Sequence, residues 1–108
     1  MKTYYSKGRD GHQMETTKEL PDGKTLKLST SKRGNGGGVS TYATVGISSD
    51  NCFSFVIFQD FSKMILTEKT RVTEKAVRLQ HQQALDNLEA LESDIADHYA
   101  VLAKKEFA

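Results

Sequence analysis

Three histidines and one cysteine are the side chains best suited to hold a metal or to act as a nucleophile, and their spacing supports neither. His81 and His98 are 17 residues apart, about 25 Å on one straight helix, too far to share an ion. His12 stands alone near the N-terminus. Cys52 has no histidine near it and opens an apolar stretch, where a small buried thiol is common. No Cys-x-x-Cys, His-x-x-x-His or Asp-x-Asp spacing occurs. The run Gly34-Asn35-Gly36-Gly37-Gly38 has the composition of a phosphate loop. Such loops work because a helix N-terminus follows and aims its N–H groups at the anion. Here residues 39–47 alternate as a strand and no Gly-Lys-Ser/Thr ending exists, so the run reads as a hairpin loop. The expectation is a non-enzyme with no catalytic residue, no metal and no cofactor.

Charge and aromatic groups suggest contacts instead. Asp86, Glu89, Glu92, Asp94 and Asp97 occur without one Lys or Arg between Arg78 and Lys104. Asp86, Glu89, Asp94 and Asp97 are therefore the candidate surface for a basic protein partner. The alternative is a nucleic-acid site on Lys27, Lys32, Arg33 and Gly36, where two or more cations stand beside a loop with little side-chain bulk. Tyr42 and Phe58, on neighbouring expected strands, would add stacking surfaces.

The elements that position these groups follow from periodicity. Residues 1–11 are polar and read as a flexible arm. Residues 12–20 and 25–32 alternate around Pro21-Asp22-Gly23-Lys24, where Pro presets one turn dihedral and Gly supplies the positive one. Residues 39–47 form a further strand. Residues 52–59 are apolar on both faces, the pattern of a central or doubly covered strand. Residues 62–67 read as a fifth strand or as the end of the fourth. The short connections favour an antiparallel meander over residues 12–67.

A helix is expected over 73–105, with Thr73 as N-cap and Ser93-Asp94 as the one candidate break. Val77, His81, Ala84, Leu88, Leu91, Ile95, His98 and Leu102 recur at spacings of four and three, a heptad-type seam. Part of that seam would cover the chain's own sheet. A single rod outruns so small a sheet, so Leu88, Leu91, Ile95 and Leu102 are assigned to a homodimer interface.

At 108 residues the chain has room for one domain, and 15 Lys+Arg against 14 Asp+Glu steer it toward no partner by net charge. A lone cysteine allows no internal disulfide, the N-terminus lacks an apolar signal segment, and no apolar run approaches the ~20 residues that span a bilayer. These features point to a cytoplasmic protein. The expected fold class is α+β, a four- to five-stranded antiparallel meander followed by one long C-terminal helix, as a single domain over 1–108. In that general build the chain resembles small accessory proteins of phages and mobile elements. The resemblance implies an inhibitor that occupies the surface of a host nucleic-acid-processing or defence machine; it transfers no residue.

Overall fold

The structure is a computed structural model. It describes residues 1–9, 11–21, 23–32, 37–48 and 56–107, with side chains described except at 47, 48, 56–60, 103 and 105–107. Five strands precede two helices: β1 (Lys2–Gly8), β2 (Gly11–Glu19), β3 (Thr25–Lys32), β4 (Val39–Ser48), β5 (Val56–Glu68), α1 (Glu74–Asp86) and α2 (Leu88–Phe107). The strands form one antiparallel sheet in sequence order. This is the expected α+β meander followed by helix.

Turn chemistry closes the hairpins as the residues dictate. Gly23 takes φ +84 and its N–H donates to the Leu20 carbonyl at 3.1 Å, while Leu20 N–H donates to the Lys24 carbonyl at 2.8 Å. Gly38 enters β4 at φ +89, and a Cβ there would press on the Glu68 carbonyl, so only glycine fits. Residues 34–36 of the expected loop over 34–38 and residues 52–55 of the expected fourth strand lie outside the described residues.

Four expectations need correction. Residues 2–8 are not a loose arm; they pair with β2 in the register Thr3↔Thr16 and Tyr5↔Met14. Their alternation is polar, and polar strands are held by ladder bonds and partner packing more than by their own apolar pattern. The second correction concerns the strand expected over 52–59 as central or doubly covered: it stands last in the sheet order and so is not central, and it runs on through 62–67, which is the end of that strand as one of the two expectations had it. Third, the helix breaks at Asn87, not at Ser93-Asp94, which lie inside α2. The Asn87 N–H turns back to the Ala84 carbonyl at 3.2 Å, and its side-chain amide donates to the Gln83 carbonyl at 2.9 Å. Such local bonding makes Asn a good stop. The expected N-cap holds: Thr73 Oγ1 accepts from the Ala76 N–H at 3.1 Å.

Finally, the helical seam closes on the chain's own sheet. Leu26, Leu28, Ala43 and Val45 of β3 and β4 share one buried cluster with Ala84, Leu91 and Ile95 of the helices. Leu91 and Ile95 are 6% and 3% exposed, and Leu88 packs against the same cluster. These three side chains are therefore core residues and not a free oligomer interface. The seam outlasts the sheet only at its end, where Val101 and Leu102 are 52% and 36% exposed. Two helices of 13 and 20 residues reach further than the 8 residues of β3 can cover, at about 1.5 Å per helical and 3.3 Å per strand residue.

Candidate functional site

The helices cover one face of the sheet, and that layer is held at its α1 end by polar contacts. His81 is 0% exposed and sits between two strands. Its Nε2 meets Thr16 Oγ1 at 2.6 Å and its Nδ1 meets Thr30 Oγ1 at 2.8 Å. Thr3 bonds Thr16 at 2.8 Å and Thr30 bonds Thr41 at 2.6 Å. Thr41 donates to Gln80 Oε1 at 3.0 Å, and Gln80 Nε2 donates to the Val39 carbonyl at 3.1 Å.

The carbonyl end sets the direction of every bond, because a carbonyl only accepts. The Thr41 proton is committed to Gln80, so Thr30 must donate to Thr41. Thr30 then accepts from His81 Nδ1–H. A neutral imidazole with its proton on Nδ1 accepts at Nε2, so Thr16 donates to it and Thr3 donates to Thr16. Burial lowers the His81 pKa below its usual value of 6.5, partly opposed by the nearby Glu15 carboxylate. The neutral, Nδ1-protonated ring is thus the one that both the burial and the hydrogen bonds favour. This network joins β1, β2, β3, β4 and α1, and it is structural in character: each member's partner is another buried or strand residue.

A second polar group stands at the start of α1. Tyr5 hydroxyl bonds His12 Nδ1, the Arg78 guanidinium lies 4.4 Å from the Tyr5 ring centroid, and Arg78 Nε donates to Glu74 Oε2 at 3.1 Å. Partial burial and a hydrogen bond to the Glu74 carboxylate raise the Tyr5 pKa. The same Tyr5 bond, followed by that to Arg78, lowers the Glu74 pKa. Sequence reading missed this group because β1 was not expected to be a strand. Its partners are satisfied by one another, and it docks β1 to α1.

The expected partner-binding acids lie outward. Asp86, Glu89, Asp94 and Asp97 are all exposed. Asp86 accepts from Gln82 at 2.9 Å, and Asp94 faces Lys63 at 3.9 Å with both side chains more than half exposed. Glu92, by contrast, is half-buried and engaged with Lys18. Of the expected nucleic-acid residues, the structure describes Lys27 and Lys32. Lys27 and Lys32 are an odd number of residues apart on β3 and so point to opposite faces. Lys27 stands 3.4 Å from Glu15, and Arg33 and Gly36 lie outside the described residues. On the sheet face away from the helices, Tyr4, Glu15, Ser29, Tyr42 and Met64 form one row across the five strands. Lys27, two residues from Ser29 on β3, shares that face and offsets the Glu15 carboxylate, so the row has no net positive charge to draw a phosphate backbone. The side chain of Phe58 lies outside the described residues.

A cleft of about 260 Å³ lies between residues 63–66 of β5 and Ala84, Asn87, Ala90, Leu91 and Asp94 at the helical junction. Among the described residues, no three His, Cys, Asp or Glu side chains converge as a metal site, and no helix is long and apolar enough to cross a membrane. No protein-family model, curated protein or solved structure matches the chain.

Proposed function

We propose that the chain is a non-catalytic binding protein that engages a basic surface of another protein through the outer side of its helical layer. One observation carries this reading: Val77, Gln80, His81, Ala84, Leu91 and Ile95 anchor α1 and α2 on the sheet, which leaves Asp86, Glu89, Asp94 and Asp97 as an exposed acidic run on the outer side. Exposed charge arranged in this way favours encounter and orientation with a complementary partner. Inhibition of a nucleic-acid-processing machine, whose substrate channel is basic, is one form such binding would take. Self-association through the helical seam is not part of the proposal, because Leu91 and Ile95 lie inside the chain.

The test is the triple variant Asp86→Lys, Glu89→Lys, Asp97→Lys, compared with the unaltered chain in quantitative capture from the source cells at low and high salt. A partner whose recovery falls with salt and with the triple variant supports the reading, provided the thermal unfolding of the variant is unchanged. Recovery of the same proteins in the same amounts by both chains would discard it.

A further inference from the structure

We propose that the cleft beside β5 docks an extended segment of the partner, which pairs with the open edge of β5 and presents one apolar side chain flanked by basic ones. This rests on the binding role proposed above and specifies the partner's chemistry. β5 ends the sheet, so its outer edge has no strand beside it among the described residues. Such an edge offers backbone donors and acceptors to an incoming strand.

The local geometry gives that edge an apolar seat. The pairing of β4 with β5 shifts between Thr41 and Tyr42, so Met64 opposes Tyr42 while Leu66 opposes Thr41. The extra residue is Ile65, and consecutive Ile65 and Leu66 both pack against the core cluster. A regular strand would turn one of them to the opposite face. On the other wall, Ala84 and Ala90 are small and leave the space open. At about 260 Å³ the cleft falls below the roughly 300–1,000 Å³ of small-molecule sites and has room for a large aliphatic side chain.

Charge at the rim selects the flanking residues. The 3.9 Å pair of Lys63 with Asp94 is loose and exposed, and pairs of that kind hold together weakly. Asp94, the carboxylate that lines the cleft, is therefore available to an incoming cation. In an added strand, residues two apart share a face at roughly 7 Å. An apolar residue in the cleft thus places one of its second neighbours near Asp94; which one depends on the direction of the added strand, so a basic residue on each side, basic-x-apolar-x-basic, serves both directions.

The experiment uses the full ¹⁵N-labelled chain and the blocked heptapeptide TKTLTKT as probe, with TETLTET and TKTTTKT as counterparts. Binding of the first peptide should shift the amides of residues 63–66 and 84–94, and both counterparts should leave them in place. Ala90→Trp, at an exposed position that fills the cleft, should weaken binding by about tenfold or more. Should that variant not fold, the leucine-free peptide decides. No shifts at millimolar peptide would overturn the proposal. So would shifts confined to Asp86, Glu89 and Asp97 and insensitive to Ala90→Trp, although the acidic-surface reading would then stand. Cleft shifts that persist in the triple Lys variant would uphold the cleft and remove the acidic-surface reading instead.

Discussion

Replacing His81 separates the two contributions of the buried network, hydrogen bonding and a neutral imidazole. His81→Leu removes two bonds, to Thr16 and Thr30. Each is worth about 1 kcal/mol net, so a loss of roughly 2 kcal/mol is expected at pH 7.5. His81→Gln keeps one donor and one acceptor and should lose less. The pH dependence has a definite sign. The unfolded ring binds a proton near 6.5, while the folded ring, lowered by burial, resists it. Its stabilising contribution is therefore full above that pH and declines as pH falls below it, until the folded ring protonates in turn. The decline is bounded at about 1.4 kcal/mol per pH unit, or roughly 2 kcal/mol between pH 7.5 and 5. Protonation would also force Nε2–H to donate, reversing the hydroxyls of Thr16 and Thr3, and Thr3 is exposed enough to turn toward water. The Nδ1 arm through Thr30 keeps its direction, so the cost is chiefly that of a buried charge. Urea unfolding followed by circular dichroism at pH 7.5, 6.5 and 5 reads the effect. The unaltered chain should lose more stability on acidification than His81→Leu or His81→Gln. Equal loss in all three chains would refute the account of His81.

Ile95→Ala should cost about 2–5 kcal/mol because it opens a cavity in the core cluster, whereas Leu102→Ala should cost much less; paired urea titrations compare them, and the reverse order would mean that the seam does not close on this sheet. Gly38→Ala meets both a positive φ and the Glu68 carbonyl, so it should destabilise by more than about 1 kcal/mol, seen as a lowered Tm. Thr73→Ala removes the cap bond to Ala76 and should cost about 1 kcal/mol, measured by the same thermal unfolding.

Short-range chemistry accounts for what was legible in advance. Alternation in residues 25–32 and 39–47, Pro21 and Gly23 at a turn, and Thr73 before a helical run each act over a few residues, and the structure contains them. The seam from Val77 to Ile95 was also legible as a buried stripe. How far along the seam its own sheet reached was not, since a heptad-type pattern marks an apolar face without naming the surface opposite.

Pairings distant in sequence decided the rest. β1 is polar and became a strand because β2 and Arg78 receive it. The apolar stretch over 52–59 suggested a central or doubly covered strand, yet strand order placed β5 last in the sheet. His81 gave no sign of its role, because Thr16 and Thr30 lie 65 and 51 residues away and reach it only through the register of β2 and β3. The acidic residues could be named from sequence alone, but their exposure, and the cleft beside them, required the helices to be laid across the sheet with Asn87 at the junction. Periodicity along a chain tells which side of an element is apolar; only the packing of one element on another decides which side is left to meet a partner.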